Sequence, residues 1–171
     1  MNQSFGVKPL NFLLALILIS SPLFSQEMPV PIKVQAALFA KIFNFDQTLK
    51  DKGSFEVLIV YSDVSVKDEV SEAFKAKNIS VVPVEASGFS AKAAGASVAY
   101  LCPGVKVDKA LFSTNSILSI TGVPSFVENG DVAIGIDLQG NKPKILVNLK
   151  QMKSENHKIS ANLLKLAKII K

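Results

Sequence analysis

The chain has 171 residues, 49% hydrophobic and 19% charged, with one cysteine, one histidine, no tryptophan and no arginine. This composition excludes a disordered, collagenous or disulfide-scaffold protein, because the apolar content suffices for a core and a lone cysteine forms no internal bridge. The net charge of +5 comes entirely from lysines spread along the sequence, without the clustered arginines that read phosphate and guanine, so nucleic acid is not an expected partner.

Lys8 precedes an apolar run from Leu10 to Ile19, and Ser20-Ser21-Pro22-Leu23-Phe24-Ser25 then leads into polar Gln26-Glu27. That is the layout of an export signal, over residues 1–25 with cleavage near Ser25. The run falls short of the ~20 apolar residues that a membrane span needs, and an uncleaved anchor is the alternative. The expected mature chain, 26–171, is one domain in length and carries a net charge of +4. Two lysine-rich stretches, Lys142 to Lys153 and Lys158 to Lys171, suit either a solvated helix face or an acidic partner or anionic lipid headgroups.

From Pro31 to Phe45 the spacing of Ile32, Ala36, Phe39, Ile42 and Phe43 predicts an amphipathic helix with proline in its first turn. Val57 to Tyr61 is a continuous β-rich run, as in a strand buried on both faces. Ser65 and Asp68 have capping-box spacing and open a helix towards Lys77-Asn78. Ile79 to Val84 is a second strand, Phe89 to Ala94 a short helix, and Ser97 to Leu101 a third strand closed by Cys102-Pro103-Gly104. Val107 to Phe112 predicts another short helix and Ile117 to Ile120 a fourth strand. Strands separated by helical segments imply βαβ crossovers and a mainly parallel sheet with flanking helices.

After Asp131 the period changes to two. Val132, Ile134, Ile136 and Leu138, then Ile145, Val147 and Leu149, alternate with other residues about a Gln139-Gly140-Asn141 turn, which predicts a C-terminal antiparallel hairpin. A final helix is expected from about Ser160, with Leu163, Leu166, Ala167 and Ile170 on one stripe.

The catalytic inventory is thin. His157 lies in a polar connection and reads as a surface histidine, and its separation from Cys102 has no zinc-like spacing; no metal, cofactor or catalytic residue is assigned. Cys102, in the turn after the third strand, reads as a small buried hydrophobe with a structural role, with an intermolecular disulfide or a free thiol as the alternative. Asn148, between two apolar hairpin residues, reads as structural, hydrogen-bonded to a neighbouring loop. Ser62, Asp63, Thr121 and Ser125 fall at the carboxyl edge of the expected sheet, the default place for a small ligand, although no glycine-rich phosphate loop or nucleophile elbow is present.

Ile117-Leu118-Ser119-Ile120, Phe126-Val127-Glu128-Asn129-Gly130, Val147-Asn148-Leu149, Ile159-Ser160 and Leu163-Leu164-Lys165-Leu166-Ala167, with an opening helix containing Ala36-Ala37-Leu38-Phe39-Ala40-Lys41, resemble the YfiR/HmsC-like family (DUF4154). The resemblance covers about residues 31–170. The Trp-Pro pair usual in that family after the first helix stands here as Phe45-Asp46, and the cysteine pairs of its better-studied members are reduced to Cys102.

The resemblance implies a non-enzymatic periplasmic regulator. Its relatives bind the periplasmic part of a membrane diguanylate cyclase and hold it inactive, lowering cyclic-di-GMP and restraining biofilm formation, and others work with sensor kinases. A homodimer is a further expected arrangement. For partner contact an exposed apolar patch with a polar rim is needed, and Val123, Phe126, Val127 and Asn129 are the expected residues. A small-ligand-binding protein using the carboxyl-edge loops is the alternative.

Overall fold

Val57, Ile59 and Val60 are fully buried, as continuous β-branched runs are in sheets covered on both faces. The computed structural model describes residues 27–171, so the expected export signal lies outside the described residues. A seven-stranded sheet has the order β2-β1-β3-β4-β5-β6-β7. Its strands are β1 (Val57–Tyr61), β2 (Val81–Glu85), β3 (Val98–Leu101), β4 (Leu118–Thr121), β5 (Ile134–Gln139), β6 (Lys142–Asn148) and β7 (Lys168–Ile170). The first five run parallel, β6 is antiparallel to β5, and β7 runs parallel to β6. The fold is therefore α/β, mainly parallel, with the expected hairpin and a C-terminal helix.

The helices are α1 (Ile32–Phe43), α2 (Gln47–Lys52), α3 (Val64–Lys75), α4 (Phe89–Lys92), α5 (Ala110–Asn115), α6 (Pro124–Glu128), α7 (Leu149–Ser154) and α8 (Ala161–Leu166). The chain steps from β1 to β2 on one side of the sheet and from β2 to β3 back across it. Right-handed crossovers therefore place α3 on one face and α4, α5 and α6 on the other. On the first face Tyr100 of β3 meets Phe39 of α1 and Phe74 of α3 edge-on, at ring separations of 6.0 and 5.5 Å. The Tyr100 hydroxyl also donates to Gln35 Oε1 at 2.8 Å, while Gln35 Nε2 donates to the Val30 carbonyl at 2.6 Å, which fixes the start of α1 on the sheet. On the second face Phe89 and Phe112 join α4 to α5.

Several boundaries differ from those expected, each for a local reason. Asp63, not Ser65, caps α3: its carboxylate accepts from the Ser65 amide at 2.8 Å and the Ser65 hydroxyl at 2.6 Å, whereas Asp68 pairs with Lys67. The helix expected over Val107 to Phe112 begins three residues later, where Asp108 accepts from the Ala110 amide. The hairpin turn is the two-residue Gly140-Asn141, both with positive φ, the conformation that favours these residue types. β6 ends at Asn148 because its side chain caps α7, accepting from the Gln151 amide at 2.9 Å. The C-terminal helix stops at Leu166, since Ala167 turns extended and the next three residues pair with Leu146, Val147 and Asn148 of β6. Leu166 is 62% exposed and Lys168 lies in a strand, so the expected helical stripe does not extend to Ile170.

Close approach requires glycine at position 135. A Cβ there would stand 2.5 Å from Val127 Cγ2, on a fully buried β-branched side chain that joins α6 to the sheet. Gly135→Ala is expected to lower unfolding free energy by about 1–3 kcal/mol, measured by urea denaturation; an unchanged midpoint would show that α6 is not packed this closely.

Candidate functional site

Strand β4 begins before its neighbour β5. Pairing between the two starts only at Ile120 with Ile134, so the Ser119 amide has no strand partner although Ser119 is fully buried. Glu155, just past the end of α7, supplies one. Its Oε2 accepts from the Ser119 amide at 3.0 Å, and its Oε1 accepts from the Ser119 hydroxyl and from Gln151 Nε2 at 2.9 Å. Ser119 Oγ in turn accepts from the Ala133 amide at 2.8 Å. Burial pushes the Glu155 carboxyl up to about 7, against the lowering effect of these donors and of nearby His157.

His157 is buried, contrary to the surface position expected from its polar neighbours. Its Nδ1 lies 2.7 Å from Asp46 Oδ2 and its Nε2 lies 3.2 Å from the Ser116 carbonyl. Both ring nitrogens therefore lie within hydrogen-bond distance of a protein oxygen. The other Asp46 oxygen accepts from the Leu49 amide and caps α2. Backbone hydrogen bonds from Gln47 to Lys158 and from Ser160 to Phe45 flank the pair. Asp46, Ser119 and Glu155 are fully buried, so the cluster is closed to solvent.

A second constellation opens at the carboxyl edge of β3 and β4. A cleft of about 360 Å³ is lined by apolar Leu101, Val105, Phe112 and Phe126, with Ser125 and Asn129 among its polar residues. It brings together one residue of the expected ligand edge, Ser125, and two of the expected partner surface, Phe126 and Asn129. The remaining expected residues lie elsewhere. Val123, the extended residue before α6, and Val127, on the inner face of α6, are core residues, 3% and 0% exposed, so they form no partner surface. Thr121 is fully buried, its hydroxyl donating to the Leu101 carbonyl and accepting from the Val123 amide, so it is not open to a ligand. Ser62 is exposed, and Asp63 is occupied with capping α3; the Ser65 hydroxyl and amide hold its carboxyl below the usual range.

Asn148 Nδ2 donates to the Val127 carbonyl at 3.1 Å, which locks α6 to the start of α7. Cys102 is fully buried, and burial pushes its thiol up to about 12, far from the thiolate that reacts. Among the described residues no group of three or more His, Cys, Asp or Glu is placed to hold a metal, and no helix is long and apolar enough to cross a membrane.

These features define a mainly parallel α/β protein with an apolar carboxyl-edge cleft and with its titratable cluster sealed inside. The model of the YfiR/HmsC-like family (DUF4154) matches residues 32–168, and the chain belongs to that family, which is regulatory rather than catalytic. No curated protein matches the chain. Among solved structures it is similar to a conserved domain protein from Vibrio cholerae O1 biovar eltor, at 13% identity and a TM-score of 0.58. It is also similar to an ABC domain from Streptococcus pneumonia solved in complex with L-Trp, at 11% identity and a TM-score of 0.59. Each alignment covers 82% of this chain and 60% of the other, so the chain spans well under two thirds of either structure, and the likeness is one of fold.

The raised Glu155 carboxyl has a definite sign. Because its folded value, about 7, lies above the ordinary 4.5, its contribution to stability is fully present below about pH 4.5 and is lost as the pH rises through about 7. Glu155→Gln is uncharged at every pH and so removes this titration. Wild type is expected to lose about 2 kcal/mol more than this variant between about pH 5.5 and pH 8, measured by denaturation at each pH; parallel pH profiles would show that Glu155 does not titrate in this window.

Proposed function

We propose that the protein is a non-enzymatic periplasmic regulator that binds the periplasmic portion of a membrane diguanylate cyclase and holds it inactive, restraining cyclic-di-GMP production and biofilm formation. The family match over residues 32–168 carries this reading. Two features of the structure support it. The single histidine and the single cysteine are both buried, the first engaged by Asp46 and Ser116, the second as an unreactive thiol. The carboxyl-edge cleft offers a half-buried aromatic, Phe126, beside exposed Asn129, the pairing of apolar anchor and polar rim found in protein interfaces. A sensor kinase is the other receiver that the family allows, and self-association as a homodimer belongs to the same proposal.

A second reading is favoured by the cleft itself, whose apolar lining and few polar groups also suit a small ligand. The related fold of the Streptococcus pneumonia ABC domain was solved with L-Trp bound. In this reading the ligand acts on the same surface and governs access of the membrane partner to it.

Loss of the protein is expected to raise cellular cyclic-di-GMP several-fold. Wild type restores the lower level, and Phe126→Ala fails to do so while keeping a cooperative thermal transition. Unchanged cyclic-di-GMP on loss of the protein would contradict the cyclase reading, and full restoration by Phe126→Ala would remove the cleft from the interface.

A further inference from the structure

Charge is divided unevenly along the chain. Residues 27–138 carry ten lysines and thirteen acids, whereas residues 139–171 carry eight lysines and one acid, Glu155. Since Glu155 is fully buried, this C-terminal segment of 33 residues presents lysines and no acidic side chain of its own to solvent. The fold gathers many of them along one margin. Lys142 and Lys144 lie on β6, and β7 runs alongside it with Lys168 opposite Leu146. Lys144 Nζ donates to the Leu166 carbonyl at 2.8 Å, which sets it beside Lys165 and the end of α8. Lys150 and Lys171 line one cleft at the far end of the strands. The six lysines follow a seven-residue strand, a margin of roughly 23 Å.

Two acids from neighbouring elements face this margin: Asp137 lies opposite Lys144 in the hairpin, and Glu128 is 3.4 Å from Lys168. Lys142, Lys150 and Lys165 are exposed and appear in no ion pair among the described residues. At the centre, Leu166 is 62% exposed, the most exposed large hydrophobic of the described residues. Lysines at a sheet edge discourage edge-to-edge pairing, but this purpose needs one or two of them and does not account for an exposed leucine.

We propose that the β6–α8–β7 margin is a docking surface for an anionic phospholipid bilayer, with the lysines over the headgroups and Leu166 at the interface. The composition favours lipid over protein. Protein interfaces are anchored by aromatic residues and arginine, and residues 139–171 contain none of either. Dispersed lysines act as point charges that need no matching geometry, which is how basic segments engage anionic membranes. This inference is independent of the identity of the regulated partner. It adds that the protein is held against the membrane along this margin, whose Lys150–Lys171 end adjoins the carboxyl-edge cleft at Asn129.

The test is sedimentation of the purified chain, its N-terminus read by mass spectrometry, with vesicles of phosphatidylcholine alone or mixed with phosphatidylglycerol. An intact apolar N-terminal run would bind both vesicle types, so the readout is the difference between them. Binding is expected to require phosphatidylglycerol and to vanish at high salt. The variant Lys142→Ala/Lys150→Ala/Lys165→Ala is expected to bind about a hundredfold more weakly. Lys33→Ala/Lys75→Ala/Lys77→Ala, which removes the same charge from exposed positions on and just after the helices of the first face, is expected to bind as wild type. Equal binding to both vesicle types, equal weakening by both triple variants, or salt-sensitive binding only to an acidic protein domain would each overturn the proposal.

Discussion

A parallel strand that starts before its neighbour leaves a buried amide without a partner, and this constraint organises the C-terminal third of the molecule. The Ser119 amide is satisfied by Glu155, and the short connection that carries Glu155 also carries His157 into contact with Asp46, 111 residues earlier. One segment thus completes the sheet and joins the end of α1 to the approach to α8. Such an arrangement confers definition more than stability. A buried hydrogen-bonded pair gains little net free energy, but removing one partner leaves the other unsatisfied at a cost of about 1–3 kcal/mol. The position of α7, α8 and β7 is therefore set by hydrogen bonds that tolerate few substitutes.

The family's usual Trp-Pro pair stands here as Phe45-Asp46, and the structure gives this departure a physical content. Asp46 caps α2 with one oxygen and meets His157 with the other, while the Phe45 carbonyl accepts from the Ser160 amide. The junction after α1 is thus built from a capped turn and a buried pair. Cys102 is equally absorbed by the fold: its amide pairs with the Val60 carbonyl and its thiol lies in the core.

Strand β1 was legible residue for residue because a strand buried on both faces has no polar positions to blur it, and the hairpin because period two and a Gly-Asn turn coincide. Capping decided the boundaries that were missed. Asn148 and Gln151 have the spacing of a helix start, yet the alternating Val147 and Leu149 read as continuing strand. The last helix is expected too long because Ala167 and Ile170 fit a helical stripe, and only the free margin of β6 shows that the chain there pairs as an edge strand. At the candidate site, Glu155 and His157 sit among lysines, serines and asparagines and so resemble surface. The available signal was Ser119, the one polar residue of the expected Ile117 to Ile120 strand, whose buried side chain must find a partner. Of the four residues expected on one exposed patch, Phe126 and Asn129 line the cleft while Val123 and Val127 are buried, because a short helical turn alternates its faces too quickly for a contiguous patch to be read from neighbouring residues.

The molecule buries Asp46, His157, Ser119 and Glu155 and presents an apolar cleft at one edge of the sheet and a lysine-rich margin at another. The most direct measurement is crosslinking of the protein in its native envelope followed by identification of what is attached. Recovery of a membrane diguanylate cyclase, joined through its periplasmic portion, is the result this account predicts. Recovery of the protein joined only to other copies of itself would contradict it.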